Sequence, residues 1–199
     1  MMNYENIIFD LGNVLVKLDE VATMRAFENL GWPKKNHIRE YAEGLKLFQA
    51  MGVGMMSNRQ FFDAVRETTH SDATDEQITD AANAMLLYIP DGKKRKLLQQ
   101  RKEGLLSNTI DLHWQYCKEK LFPMDHYGVE DYFEKTFLSQ EMHMKKPDDE
   151  IFQQVIKDAA IDPNATLFID DLEVNCEAAE HNGIHTFHNK NFDDWMKLF

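Results

Sequence analysis

The sequence contains few cysteines and no long apolar run, and both shortages exclude classes of protein. Cys117 and Cys176 form no CxxC pair, which argues against a cysteine-based metal site and favours a reducing compartment. No apolar run approaches the roughly 20 residues that a membrane span needs. The first residues lack the basic start and apolar stretch of a signal peptide. We therefore expect a cytoplasmic protein that has no membrane partner.

Basic residues are also scarce relative to acidic ones. The chain has 22 Lys and Arg against 34 Asp and Glu, which gives a formal net charge of −12. A general nucleic-acid surface needs a basic face, so nucleic acid is not expected as a partner. An acidic protein that binds an anion must build a local positive site from lysines, helix N-termini or a metal ion.

The remaining composition is that of an ordinary globular protein. The chain has 199 residues, of which 43% are hydrophobic and 28% are charged. A chain of this length can bury roughly 70% of its unfolded surface. One compact domain fits this length, either alone or with a smaller insertion.

Short apolar runs alternate with helical patterns along much of the chain. Such runs are typical of parallel strands buried on both faces and joined by crossover helices. The runs are Ile7–Phe9, Phe137–Leu138, Thr166–Ile169 and Ile184–Phe187, and helices are predicted over Asp149–Ala160 and Leu172–Asn182. We therefore predict an α/β fold with a doubly wound parallel sheet.

Residues 18–91 differ, because they show helical patterns and almost no strand pattern. Ser57 with Gln60, and Thr74 with Gln77, have the spacing of capping boxes that open helices. We predict a core domain from residues 1–17 and 92–199, with a helical cap at residues 18–91. The cap is expected over the strand ends, where open parallel sheets bind ligands. A helical α+β protein with an unrelated N-terminal strand is the alternative, since periodicity alone does not exclude it.

Carboxylates follow two of the predicted strands. Asp10 comes directly after Ile7–Phe9, and Asp170 and Asp171 end the run that begins at Thr166. Carboxylates delivered by two strand ends to one crevice form an all-oxygen site that suits Mg²⁺. Without a cation they would repel one another, and at least one pKa would rise. An isolated Asp-Asp pair is more often an N-cap of the next helix.

Two further polar groups fall at connecting turns. Ser107 and Asn108 follow a short apolar step, and Lys146 stands directly before Pro147 at a helix start. Taken separately, Ser107 is interpreted as a cap and Lys146 as a surface lysine. Together with the carboxylates they supply a nucleophile, a metal site, a hydroxyl donor and a cation, which a phosphoryl group requires.

Four stretches in this order resemble the four motifs of the haloacid dehalogenase-like hydrolase superfamily. The stretches are FDLGNVLV, LLSNT, KKPDDEIF and LFIDDLEVN, and the resemblance covers the whole chain. Intervals of 97, 39 and 24 residues separate Asp10, Ser107, Lys146 and Asp170. Within the superfamily, the motifs are most similar to those of small phosphatases that act on sugar phosphates such as glucose 1-phosphate.

The resemblance implies an aspartate nucleophile and a magnesium site. Asp10 would attack phosphorus and form an aspartyl-phosphate that water then hydrolyses. Asp171, Asp10 and the backbone carbonyl of Gly12 would hold Mg²⁺. Asp170 would orient the site or share the metal, and Asn175 would support this loop from behind the metal ligands.

The resemblance also assigns the groups that bind phosphate. Ser107 and Asn108 would hydrogen-bond the transferring oxygens. Lys146 would neutralise phosphate charge and pair with Asp10. Lys145 is the neighbouring candidate, but the lysine of the family stands directly before proline, which favours Lys146. His113 or Trp114, which follow the second motif, could border the substrate pocket.

The chain departs from the phosphatase pattern at Gly12. Most phosphatases of this superfamily have a second aspartate there, two positions after the nucleophile, as general acid and base. Its absence favours a substrate with a relatively acidic leaving group, such as an anomeric sugar phosphate. A 2-haloacid dehalogenase, which uses the same aspartate without a metal, and a catalytically weak phospho-ligand binding protein are the alternatives. Substrate identity and oligomeric state are not predicted.

Overall fold

A computed structural model of the protein describes residues 4–34, 38–99 and 103–198. Within these ranges the chain forms seven strands and ten α-helices. The strands are β1 Asn6–Phe9, β2 Lys17–Leu18, β3 Leu86–Tyr88, β4 Glu103–Ser107, β5 Lys135–Leu138, β6 Thr166–Asp170 and β7 His185–His188. The helices are α1 Glu20–Asn29, α2 Ile38–Gly52, α3 Asn58–Thr69, α4 Asp75–Asn83, α5 Asp91–Leu97, α6 Asp111–Tyr116, α7 Val129–Tyr132, α8 Ser139–Met142, α9 Asp149–Ala159 and α10 Glu173–His181. None of the described helices combines the length and the apolar character needed to traverse a bilayer.

Five strands form one parallel sheet in the order β5-β4-β1-β6-β7. All four strands predicted from apolar runs are present, within two residues of the predicted ends. The first strand lies at the centre, between β4 and β6. Because parallel strands end at the same edge, the residues that follow β1, β4 and β6 are brought side by side.

Alternate residues of the strands face two different cores, which is the packing of a doubly wound sheet. In β1, Ile7 and Phe9 pack into a cluster that includes Trp114 and Trp195. Ile8 packs into a second cluster on the opposite face, together with side chains of α9 and α10. The predicted α/β class is therefore confirmed.

Strand β4 is longer than its apolar content suggests. Only Leu105 and Leu106 precede Ser107 as apolar residues, yet the strand spans Glu103–Ser107 and pairs with both β1 and β5. Lys102, which the sequence placed in the same segment, lies outside the described residues. Pairing on both sides extends the strand through Gly104, where the side-chain pattern carries no information.

Helices α1 to α4 fill the segment between the first strand and the rest of the sheet. Both capping boxes are present: the Ser57 and Thr74 side chains accept from the backbone N–H groups of Gln60 and Gln77, whose side chains accept in return. These helices have their own core, in which Phe27, Phe48 and Phe61 meet edge to face.

The segment at residues 18–91, expected to be helical with almost no strand, contains one short strand, Leu86–Tyr88, and the last residue of another, Leu18. Strands β2 and β3 pair as a two-stranded antiparallel ribbon at the base of the helical segment. With two and three residues, they are too short to show an alternating pattern in the sequence. The ribbon brings the start and the end of the helical segment together.

The turn after α2 is one of the places where the helical segment contacts the sheet domain; helix α4, which packs against α6, is another. The Ser139 hydroxyl donates to the Gly52 carbonyl at 2.6 Å, and the His143 Nδ1 lies 3.0 Å from the Val53 carbonyl. Gly54 has φ +67°, and a Cβ at this position would lie 2.2 Å from the Gln140 carbonyl oxygen. Only glycine fits this backbone angle and this close approach without strain.

We expect Gly54→Ala to lower the free energy of unfolding by about 2–4 kcal/mol, because the left-handed angle and the steric overlap each add a cost. Gly92→Ala is the matched control, since a Cβ at Gly92 meets nothing within 4 Å and the residue lies in helix α5. That variant should be as stable as the wild type or slightly more stable. Urea denaturation of both variants measures the difference, and equal stabilities would contradict this account of the turn.

Candidate active site

Asp10 lies where strand β1 ends, at the centre of the sheet. Its backbone N–H donates to the Ile169 carbonyl at 2.8 Å, so the pairing with β6 continues to this residue. Ile8 and Phe9 are buried on the two faces of the sheet before it, and Asp10 itself is 8% exposed. The carboxylate is therefore fixed at the strand edge and largely shielded from water.

Lys146 is buried and reaches the centre of the site. Its ammonium lies 2.7 Å from Asp10 Oδ1 and 2.7 Å from Asp170 Oδ2, and it donates to the Leu106 carbonyl at 2.9 Å. These three acceptors use all three N–H groups of a lysine. The expected pairing of Lys146 with Asp10 is present, so the alternative of a surface lysine is excluded. The neighbouring Lys145 is exposed.

Asp170 is fully buried and surrounded by donors. Its Oδ1 accepts from the Leu172 backbone N–H at 2.8 Å and from Asn175 Nδ2 at 3.0 Å. Its Oδ2 accepts from Lys146 and lies 3.1 Å from the same Asn175 amide. Both oxygens are thus held by protein groups, and the Asx-type bond to Leu172 fixes the turn into α10.

Asp171 is half-buried and completes a cluster of three carboxylates. Asp10, Asp170 and Asp171 each offer an oxygen, and these oxygens lie within 4.8 Å of one another. Oxygen-only donors of this charge fit Mg²⁺ better than softer ions. Since both Asp170 oxygens are already hydrogen-bonded, Asp10 and Asp171 would be the main ligands of a bound ion. The Gly12 carbonyl as a third ligand of the ion stays a prediction.

The pKa values show the electrostatic cost of this cluster in the metal-free protein. Burial raises the pKa of Asp10 to about 7; Lys146 opposes this shift, and Asp170 adds to it. Burial and then the charge of Asp170 raise the pKa of Asp171, while the Asn13 side chain opposes the shift. Burial disfavours the charged form of Lys146, but the two carboxylates outweigh it and raise its pKa. A further cation would relieve the remaining repulsion.

Asn108 is placed at the site but is engaged by the protein. Its Oδ1 accepts from the Lys146 backbone N–H at 2.8 Å, and its Nδ2 donates to the Lys146 carbonyl at 2.8 Å. The amide therefore clamps the backbone of the residue that pairs with Asp10. Ser107 is 2% exposed at the end of β4, and its hydroxyl makes no hydrogen bond with the described residues.

Sequence reasoning missed the groups that hold the loop after Asp10. Asn13 has φ +49°, and its carbonyl accepts from Asn189 Nδ2 at 3.2 Å. The Val14 carbonyl accepts from Lys93 Nζ at 2.6 Å and from Trp195 Nε1 at 2.9 Å. Asn189 directly follows β7, so a polar residue after the last strand could have indicated it. Lys93 and Trp195 lie in segments with no such pattern.

Leu18 occupies the space next to Gly12. A Cβ at Gly12 would lie 2.9 Å from Leu18 Cδ1 and 4.0 Å from Asp10 Oδ2. Any side chain at position 12 would thus overlap sterically with a methyl group of Leu18 unless that leucine moved. The missing second aspartate is replaced here by an apolar group.

The comparisons with known proteins match this geometry. The family model for haloacid dehalogenase-like hydrolases matches residues 4–183. The chain belongs to that family. The match extends from the first strand past the Asp170 turn and helix α10, so all of the clustered side chains fall within it.

The matches between this hydrolase and its relatives extend over nearly the full length of the chain. It is 29% identical over 196 residues to D-ribitol-5-phosphate phosphatase of Bacteroides thetaiotaomicron, with 97% of this chain and 95% of that protein covered. A HAD family enzyme of the same species, solved in complex with magnesium and inorganic phosphate, is 40% identical with a TM-score of 0.91, covering 98% of this chain and 99% of that one. A HAD-like family hydrolase of Porphyromonas gingivalis is 29% identical with a TM-score of 0.87, covering 98% and 96%.

We expect Mg²⁺ at 100 times its dissociation constant to stabilise the hydrolase by about 2.7 kcal/mol, or roughly 5–10 °C in melting temperature. The shift should be larger at pH 8 than at pH 5.5, because protons compete for Asp10, whose pKa is about 7.

Without Mg²⁺, the free energy of unfolding should fall as the pH rises from about 4 to about 7. The reason is that the pKa of Asp10 in the folded protein lies above its ordinary value of 3.8, so the folded protein holds a proton that the unfolded chain has lost.

Differential scanning fluorimetry with and without EDTA measures both effects. Asp171→Asn should abolish most of the Mg²⁺ shift. Glu177→Gln, which removes an exposed carboxylate on α10, should retain it. If both variants responded to Mg²⁺ like the wild type, the ion would bind somewhere other than the carboxylate cluster.

Proposed function

We propose that the protein is a Mg²⁺-dependent phosphomonoesterase that hydrolyses a small phosphorylated metabolite, with a sugar or polyol phosphate as the expected class. The observation that carries this proposal is the buried Lys146 ammonium between Asp10 and Asp170, with Asp171 beside them. It places a nucleophile, a cation and metal ligands around one point. The phosphatase activity and the magnesium and phosphate complex of the relatives support the same chemistry.

Asp10 is the proposed nucleophile. One of its oxygens forms a bond to phosphorus while the bond from phosphorus to the leaving oxygen breaks. The leaving oxygen takes a proton from water, since Gly12 carries no acid, and the products are an aspartyl-phosphate and an alcohol. Water then attacks phosphorus, and the Asp10–phosphorus bond breaks to release inorganic phosphate. Bound Mg²⁺ supplies positive charge that favours ionised carboxylates and offsets the charge of the phosphoryl oxygens.

Lys146 and Asn108 prepare Asp10 for this role. The Lys146 ammonium favours the ionised form of Asp10 and holds one of its oxygens in place. Asn108 fixes the backbone of Lys146 from both sides, so we propose that it acts by positioning Lys146 in addition to any contact with phosphate. The Ser107 hydroxyl is available as a donor to a phosphoryl oxygen.

We propose that residues 18–91 are a cap and that residues 1–17 and 92–199 are the catalytic core. The turn Gly52–Gly54 approaches the residues after β5, so the helical segment covers one side of the catalytic crevice. Closing over a bound substrate would exclude water and complete the pocket.

We further propose a cytoplasmic location, because Cys117 and Cys176 are both unpaired and buried.

A 2-haloacid dehalogenase is the runner-up, and the carboxylate cluster argues against it. A metal-free site has little use for Asp171 beside the nucleophile. Burial and the charge of Asp170 raise the pKa of Asp171, and the charge of Asp171 adds to the raised pKa of Asp10. A phospho-ligand binding protein without turnover is favoured by one feature only, the leucine methyl group at Gly12. Loss of activity in EDTA would distinguish the proposed phosphatase from a metal-free dehalogenase. Release of phosphate would distinguish it from a protein that binds the ligand without hydrolysing it.

A phosphate-release screen over a panel of phosphorylated sugars and polyols tests the proposed function. We expect Mg²⁺-dependent release that EDTA abolishes. Asp10→Asn should lose activity by about 10³-fold or more, since the amide is no nucleophile and covalent catalysis is lost. An Asp10→Asn variant with wild-type turnover, or a wild type that releases phosphate equally well in EDTA, would refute the proposal.

Gly12 predicts a preference among substrates. Without a general acid at this position, glucose 1-phosphate, whose leaving group is more acidic, should be hydrolysed faster than glucose 6-phosphate. Gly12→Asp combined with Leu18→Ala makes room for the acid, and it should reduce this preference about tenfold by accelerating glucose 6-phosphate. Equal kcat/KM values for the two substrates in the wild type would show that another group supplies the proton.

A further inference from the structure

A cavity of about 570 Å³ opens beside the catalytic crevice, between the second half of helix α2 and the loops that follow β4 and β5. Asn108 and Lys145 belong to its lining and connect it to the site around Lys146. Its walls are otherwise mainly apolar, with Phe48 and Val53 from the helical segment. A cavity of this size and apolar character suits the part of a small substrate that is not phosphate.

His113 of helix α6 lines this cavity, and one of its ring nitrogens is already used. Its Nε2 lies 3.0 Å from the Ala82 carbonyl oxygen, at the end of α4. A carbonyl oxygen accepts hydrogen bonds and does not donate them, so Nε2 carries the hydrogen. The same carbonyl also accepts from the Thr23 hydroxyl at 2.9 Å.

The second nitrogen of His113 is therefore left as an acceptor. Burial lowers the pKa of His113 to about 4, so the ring is neutral at physiological pH and Nδ1 carries a lone pair. Nδ1 has no hydrogen-bond partner among the described residues. An acceptor that belongs to a residue of the cavity lining and has no partner among the described residues can gain a hydrogen bond from water or from a ligand in the cavity.

We propose that His113 is a specificity-determining residue for phosphorylated polyols and sugars. Its Nδ1 accepts a hydrogen bond from a hydroxyl group of the substrate. This inference rests on the proposed phosphatase function and adds to it the group that recognises the non-phosphate part. A neutral acceptor repels a carboxylate and favours a donor. Lys145 is the only charged residue among the described residues of the lining, and it disfavours a substrate ammonium, so a hydroxyl is the fitting donor.

Two substrates of equal chain length test the proposal: D-ribitol 5-phosphate and n-pentyl phosphate. Both lose a primary alcohol, and they differ in the hydroxyl groups. The wild type should prefer D-ribitol 5-phosphate in kcat/KM. His113→Phe removes the Nδ1 acceptor together with the bond to the Ala82 carbonyl, so this preference should shrink about tenfold, mainly through a higher KM for D-ribitol 5-phosphate.

Thr23→Val is the structural control. It removes the other hydrogen bond to the Ala82 carbonyl and the acceptor of the Met85 backbone N–H. Thr23 itself is not part of the cavity lining, and the substitution leaves every side chain of the lining unchanged. Any loosening of the helical segment should change both substrates alike and leave the preference as in the wild type. A His113→Phe enzyme with the wild-type preference, or a Thr23→Val enzyme with the same loss of preference, would overturn the proposal. A wild type that hydrolyses neither substrate nor any of the phosphate panel would instead refute the phosphatase function itself.

Discussion

The contact on which the site depends is the buried ammonium of Lys146 between the carboxylates of Asp10 and Asp170. Each ion pair is 2.7 Å long, and neither partner has free access to water. Removing the lysine would leave two like charges buried side by side, which costs several kcal/mol. The surroundings follow from this constraint: Asn108 holds the lysine backbone, and Asn175 and the Leu172 N–H hold Asp170.

This arrangement explains how a strongly acidic chain can bind an anion. The formal net charge of −12 opposes phosphate at long range, so positive charge must be concentrated at one point. Lys146 supplies part of it, and the carboxylates of Asp10 and Asp171 attract a divalent cation that supplies the rest. Recognition of the non-phosphate part is left to a separate, mostly neutral cavity around His113, where the charge of the protein matters less.

Much of the fold and site could be predicted because it follows local rules. Apolar runs ending in Asp10 and Asp170 mark strand ends, and parallel pairing then brings them together. The sequence does not show which groups a polar side chain contacts in the folded protein. Two such contacts were therefore missed: the hydrogen bonds of Asn108 to the Lys146 backbone, and the bond from Lys93 to the Val14 carbonyl. The place of Leu18 beside Gly12 depends on a two-residue strand, which is too short to leave a pattern.

The central claim is that Asp10 becomes covalently phosphorylated during turnover. Excess enzyme with Mg²⁺ and a hydrolysed substrate, quenched in acid within the first turnover and digested, tests it by mass spectrometry. We expect the peptide containing Asp10 to gain one phosphoryl group, and we expect no gain in EDTA or in Asp10→Asn. An unmodified Asp10 peptide throughout a productive turnover, or a phosphoryl group on another residue, would contradict it.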